Sequence, residues 1–110
     1  MRVLIAEDEY IAAILFKNQI ESLGHEVVAI THSGDETFLT AKEKKPDIIF
    51  MDISMDKRTD GISACKKIKD MDSSIKIYFL TAYNKDIFHD QLKDIPYEGF
   101  IDKFEFKKCI

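Results

Sequence analysis

The sequence predicts an α/β domain: a parallel β-sheet covered by helices on both faces. Short apolar runs rich in β-branched residues alternate along the chain with stretches of helical length. One run, Asp47-Ile48-Ile49-Phe50-Met51-Asp52, is apolar at consecutive positions, as a central strand buried on both faces must be. Strands separated by helix-length crossovers pair in parallel through right-handed connections.

The elements follow in order. The first strand, β1, is expected over Arg2–Ala6 and closes on Glu7-Asp8-Glu9. A helix, α1, should run from Tyr10 to Leu23 and stop at Gly24, which takes the C-cap role. Glu26–Ile30 reads as β2. After the loop Thr31-His32-Ser33-Gly34, either Ser33 or Asp35 can cap a second helix, α2, that reaches Lys44. Pro46 ends that region, and β3 runs from Asp47 to Asp52. The polar loop Ser54–Asp60 and Gly61 lead into α3, expected over Ile62–Asp70. Ile75–Leu80 forms β4, ending at Thr81. A short fourth helix is expected over Asn84–Lys93, then β5 over Glu98–Asp102, then Lys103 and a tail of seven residues.

Composition bounds the rest. One hundred and ten residues, 45% apolar and 33% charged, suit one globular domain over residues 1–110 with one core. The longest apolar run, Ile11–Phe16, is too short to span a bilayer, and the apolar start has no cleavage site behind it. Cys65 and Cys109 have no metal-site spacing, so reduced thiols in a cytoplasmic protein are expected. A net charge of −4 argues against direct nucleic-acid binding. No membrane association is expected.

In such sheets the functional crevice lies outside the carboxyl ends of the strands. Those ends carry Glu7 and Asp8 (β1), Asp52 (β3), Thr81 (β4) and Lys103 (β5). Three carboxylates in one place repel, which raises a pKa unless a cation intervenes. Mg²⁺ accepts a few carboxylates together with water and phosphate oxygens. Lys103 and Thr81 are donors suited to an anionic oxygen, and Asp52 can act as a nucleophile. No histidine ends a strand, and neither a nucleophile-elbow serine nor a glycine-rich phosphate loop is present. Taken singly, each residue has a plainer reading: charge at a helix N-terminus for Glu7-Asp8-Glu9, a turn former in Asp52, a helix cap in Thr81, a solvated lysine in Lys103. Their coincidence at four strand ends favours a site.

The segments Leu4-Ile5-Ala6-Glu7-Asp8-Glu9, Pro46–Ile53, Asp60-Gly61-Ile62, Leu80-Thr81-Ala82 and Gly99-Phe100-Ile101-Asp102-Lys103 together resemble a response-regulator receiver domain, the phosphoacceptor module of two-component signalling. The similarity covers the chain to about Phe104. It implies a flavodoxin-like, doubly wound five-stranded parallel sheet of order 2-1-3-4-5. It also implies that Asp52 takes a phosphoryl group from a histidine kinase or histidine phosphotransfer protein. Glu7, Asp8, Asp52 and the backbone carbonyl of Ser54 would hold Mg²⁺. Lys103 would pair with Asp52 or its phosphoryl oxygens, Thr81 and Phe100 would switch with phosphorylation, and small Ala82 would leave room. A phosphoryl group adds roughly −1.5 to −2 charges, enough to bias a two-state loop. A downstream effector would read the change. Ser54 and Tyr83 would flank the water that removes the group.

The chain departs from the family pattern in places. Glu7 stands where Asp is commoner, and Asp56 where Pro is usual. The loop from Asp52 to Gly61 is one residue longer than the common form, and Phe104 replaces a proline that follows through a cis bond. A cis bond to Phe would cost about 3 kcal/mol, so trans is expected. Only Glu105–Ile110 remain for a shortened last helix.

On α1, Ala12, Phe16, Ile20 and Leu23 form the expected core stripe, while Ile11, Ile14 and Leu15 lie roughly opposite. That second stripe is a candidate docking patch for a helix of the phosphodonor. His25, His32 and His89 read as surface residues. Other classes have weaker support. A pseudo-receiver that binds proteins without phosphotransfer would lose the lysine or the aspartate that this sequence keeps. An FMN carrier would have its phosphate repelled by Glu7-Asp8-Glu9, and a Mg²⁺-dependent phosphatase would place its aspartyl nucleophile after the first strand and add a cap domain.

Overall fold

A computed structural model describes residues 1–53, 55, 60–81, 92–93 and 95–102, with Thr81 and Asp102 described by their backbone. Five parallel strands form one sheet in the order β2-β1-β3-β4-β5, as the resemblance implies. The strands are β1 (Arg2–Ala6), β2 (Glu26–Thr31), β3 (Ile48–Asp52), β4 (Lys76–Thr81) and β5 (Gly99–Asp102). The described helices are α1 (Tyr10–Ser22), α2 (Gly34–Lys44) and α3 (Asp60–Met71). The fourth helix expected over Asn84–Lys93 falls almost wholly outside the described residues, and the shortened last helix entirely so.

The alternation of side chains along the strands builds a core on each face of the sheet. On one face, Phe16 and Ile20 of α1 pack against Val3, Ile5, Ile48 and Leu80. On the other, Ala41 of α2 and Ile62, Cys65 and Ile68 of α3 pack against Leu4, Ile49, Met51, Ile77 and Phe79. Central β3 is buried on both faces, which is why its sequence does not alternate.

The ends of α1 and α2 show how local chemistry sets the loops. Gly24 adopts φ 91°, and its N–H donates to Glu21 O (3.0 Å) while His25 N–H reaches Ile20 O (3.4 Å). This paired closure reverses the chain at a left-handed residue, where glycine has no Cβ to clash. Leu23 is consequently the C-cap and stands half exposed rather than in the expected core stripe, which is centred instead on Ala13, Phe16 and Ile20. At α2, Ser33 is the cap, its hydroxyl accepting from Glu36 N–H (3.1 Å), while Glu36 Oε1 accepts from His32 N–H (2.6 Å).

The start of α3 differs from expectation by two residues. Gly61 suggests a helix beginning after it, yet the helix includes Asp60 and Gly61. Gly61 lies inside because α3 approaches β3 too closely for any side chain there: an added Cβ would fall 2.0 Å from Asp52 O.

Candidate functional site

The parallel registers align the strand ends at one edge. Ala6 pairs with Met51, Asp52 with Leu80, and Thr81 with Asp102. Glu7 follows β1 directly, and Asp52 is the last residue of β3. Glu7, Asp8 and Asp52 each present a carboxylate oxygen, and these oxygens lie within 4.8 Å of one another. Glu7 is fully buried, Asp52 is 8% exposed and Asp8 is open to solvent.

Local structure positions the cluster. Glu7 N–H donates to Thr31 O (2.9 Å), so the chain leaving β1 stays tied to the end of β2. The Glu7 side chain folds back over the start of α1, where Oε1 accepts from Glu9 N–H (3.2 Å). Glu9 itself is the N-cap residue and makes no side-chain capping bond. The Glu7 carboxylate thus both accepts from the N-cap residue of α1 and enters the acidic cluster.

Carboxylates so close together in a partly dry environment repel strongly, and a cation between them relieves that repulsion. The donor set decides which kind fits. All three donors are hard anionic oxygens, with no thiolate or imidazole in the group. Such a set suits a hard divalent ion of the Mg²⁺ or Ca²⁺ type and not a structural zinc.

The other site residues divide by placement. Thr81 ends β4 at the same edge as Asp52, by its backbone. Lys103 and Ser54 lie outside the described residues, as do Ala82, Tyr83, Asp56 and Phe104. Phe100 in β5 is half-buried, its ring 5.8 Å from Phe79 and 5.1 Å from Tyr97, the latter edge-on. Tyr97 also packs 5.4 Å from Phe79, so three aromatic rings form one cluster on the α3 face.

On α1 the expected second stripe is largely open. Ile11 is 71% exposed and Leu15 50%, while Ile14 is half-buried, and Tyr10 beside them is 70% exposed. Large apolar side chains thus stand in water one turn from the acidic cluster.

Sequence reasoning missed two contributors. His32 is a surface residue as expected, but its Nδ1 lies 3.1 Å from Glu7 O. Thr31 and Thr37, buried with hydroxyls 2.6 Å apart, tie α2 to the strand end behind Glu7. Polar β-branched residues inside an otherwise apolar pattern were the available signal, since buried hydroxyls are kept for the bonds they make.

Comparison with known proteins agrees with this fold. A family model described as the response regulator receiver domain matches residues 3–108. The chemotaxis protein CheY of Bacillus subtilis is 36% identical over 81 residues, covering 74% of this chain and 67% of that protein. The transcriptional regulatory protein PdtaR of Mycobacterium tuberculosis is 33% identical over 102 residues, covering 93% of this chain and 49% of its own length. Among solved structures, the signal receiver domain of a modulated diguanylate cyclase from Desulfovibrio desulfuricans superposes with a TM-score of 0.83 at 28% identity, covering 93% of this chain and 80% of that one.

Proposed function

The chain belongs to the response regulator receiver domain family, and from that premise we propose that it is a phosphorylation-controlled switch with Asp52 as phosphoacceptor. The observation that carries the reading is the meeting of Glu7, Asp8 and Asp52 at one sheet edge, with oxygens within 4.8 Å. Asp52 is the member best placed to attack, because it ends the central strand and stays backed by its core. Glu7 and Asp8 would hold Mg²⁺ together with Asp52 and, by resemblance, the Ser54 carbonyl. Bound there, the ion supplies charge neutralisation for the phosphoryl oxygens as they approach three anions.

The Asp52 carboxylate then attacks the phosphorus of a phosphohistidine. A P–O bond forms, the P–N bond breaks, and the leaving imidazole takes up a proton. By resemblance, Lys103 pairs with the phosphoryl oxygens and Thr81 donates its hydroxyl to them. By resemblance, Phe100 switches with it; its ring lies two strands from Asp52, against Phe79 and Tyr97. Water later removes the group.

Response regulators work with kinases and with output domains or effector proteins. The exposed Ile11 and Leu15, with Ile14, form the surface on which a helix of the histidine kinase or phosphotransfer donor docks. Its place beside the acidic cluster would bring the donor histidine to Asp52. The chain spans about half the length of PdtaR, and a downstream effector protein or domain that reads the switched surface is the expected partner.

The test is intact mass after incubation with acetyl phosphate, with and without Mg²⁺, on wild type and Asp52→Asn. A Mg²⁺-dependent gain of one phosphoryl group, absent from the variant, is expected. No gain in folded protein would replace this reading with that of a pseudo-receiver that only binds proteins.

A further inference from the structure

The backbones beneath Glu7 and Asp52 are joined by a run of hydrogen bonds that leaves the sheet and returns to it. Glu7 N–H donates to Thr31 O at the end of β2 (2.9 Å). Thr37 Oγ1 lies 2.6 Å from Thr31 Oγ1 and donates to Ser33 O (2.6 Å), so Thr31 is the donor within the hydroxyl pair. Ser33 is followed by Gly34, the first residue of α2, whose N–H donates to Asp60 Oδ2 (2.7 Å). Asp60 is in turn followed by Gly61, whose N–H donates to Ile53 O (2.8 Å) beside Asp52.

Two close approaches make this run stiff. A Cβ on Gly34 would lie 2.3 Å from Asp60 Oδ1, and one on Gly61 would lie 2.0 Å from Asp52 O. The start of α2 is therefore seated on Asp60, and the start of α3 on the end of β3. Asp60 is the side chain that joins the two helix starts. Its carboxylate caps a helix to which it does not belong, satisfying an amide that α2 cannot satisfy internally.

We propose that Asp60 is a positioning residue for the acidic cluster. By capping α2 across the gap between helices, it locks the first turn of α3 onto β3. That holds Glu7 and Asp52 at the separation a shared divalent cation requires. The inference rests on the reading of the site given above and adds a residue that lies outside the acidic cluster. It acts through the hydrogen bond, not through its charge, because the cluster's affinity depends on how rigidly its members are held.

The experiment is calorimetric titration of the whole chain with Mg²⁺ alone, on wild type, Asp60→Ala and Asp60→Asn. Asp60→Ala is expected to bind Mg²⁺ about tenfold more weakly. Asp60→Asn keeps an acceptor without the charge and is expected to recover most of that loss. Equal affinity in Asp60→Ala overturns the proposal, and so does an Asn variant as weak as the Ala variant, since charge alone would then account for the effect. Failure of the wild type to bind Mg²⁺ would instead sink the reading of the site, and this inference with it. Should Asp60→Ala not fold, Thr37→Val cuts the same run at Thr31. Unchanged Mg²⁺ affinity there overturns the proposal equally.

Discussion

The carbonyl oxygen of Asp52 occupies the space that a side chain on Gly61 would need: an added Cβ would sit 2.0 Å away, with Ile53 Cα at 2.9 Å. Both neighbours are backbone, so neither can swing aside. Gly61→Ala should therefore destabilise the fold by about 1–3 kcal/mol despite the better helix propensity of alanine. It should also slow phosphorylation by acetyl phosphate, because relief of the clash moves Asp52. Urea unfolding checks the first effect, and a variant at least as stable as wild type would contradict the contact.

At the amino end of the strands, Lys69 is held inside the protein. Its Nζ donates to Ile75 O (2.6 Å) and Glu98 Oε2 (3.0 Å), while Glu98 Oε1 accepts from Ile77 N–H (2.5 Å). The lysine side chain is 5% exposed and the glutamate 29%. This pair ties α3, β4 and the entry to β5 together, in contrast to the exposed Lys67–Asp35 pair at 3.8 Å, which contributes little. Lys69→Ala should cost about 2–4 kcal/mol, since it strands a carbonyl and a half-buried carboxylate. Lys69→Met keeps the packed stem and should cost less. Equal unfolding midpoints for wild type and Lys69→Ala would refute the assignment.

Burial pushes the Cys65 thiol up from 9.0 to about 12, with nearby Lys69 opposing only in part. Above pH 9.0 the unfolded chain releases this proton while the folded chain keeps it. The contribution of Cys65 to stability is thus complete at neutral pH and falls away between 9.0 and about 12. In a Cys109→Ser background, the remaining thiol should react slowly with a disulfide reagent at pH 8 and rapidly once urea unfolds the chain. Rapid reaction in the folded protein would place Cys65 nearer the surface than its full burial allows.

Leu15 is half exposed on the outer stripe of α1. Leu15→Ser should leave stability within about 0.5 kcal/mol of wild type and leave acetyl phosphate labelling unchanged. Transfer from the cognate histidine kinase or phosphotransfer protein should slow by about tenfold, the loss of one apolar anchor at an interface. Unaltered transfer would remove α1 as the docking surface.

The strands and the three acidic residues were legible because each depends on a local pattern. Apolar β-branched runs give strands, and a charge closing such a run marks the end of one. The resemblance supplied the strand order, and the register of β1 against β3 then brought Glu7 near Asp52. Leu23 was misplaced because the stripe pattern assumes a helix that continues, whereas Gly24 turns the chain just where Leu23 would have packed.

What the sequence by itself determined, then, is where the strands lie and which acidic residues close them. What only the tertiary structure decided is how they are held. Asp60 and Gly34 are 26 positions apart, and Glu7 and His32 are 25 apart. No local periodicity couples such pairs; they meet because two crossovers return α2 and α3 to the same edge of the sheet. Gly61 reads locally as a helix breaker, and only the 2.0 Å approach to Asp52 shows that it is the condition for packing α3 against the site.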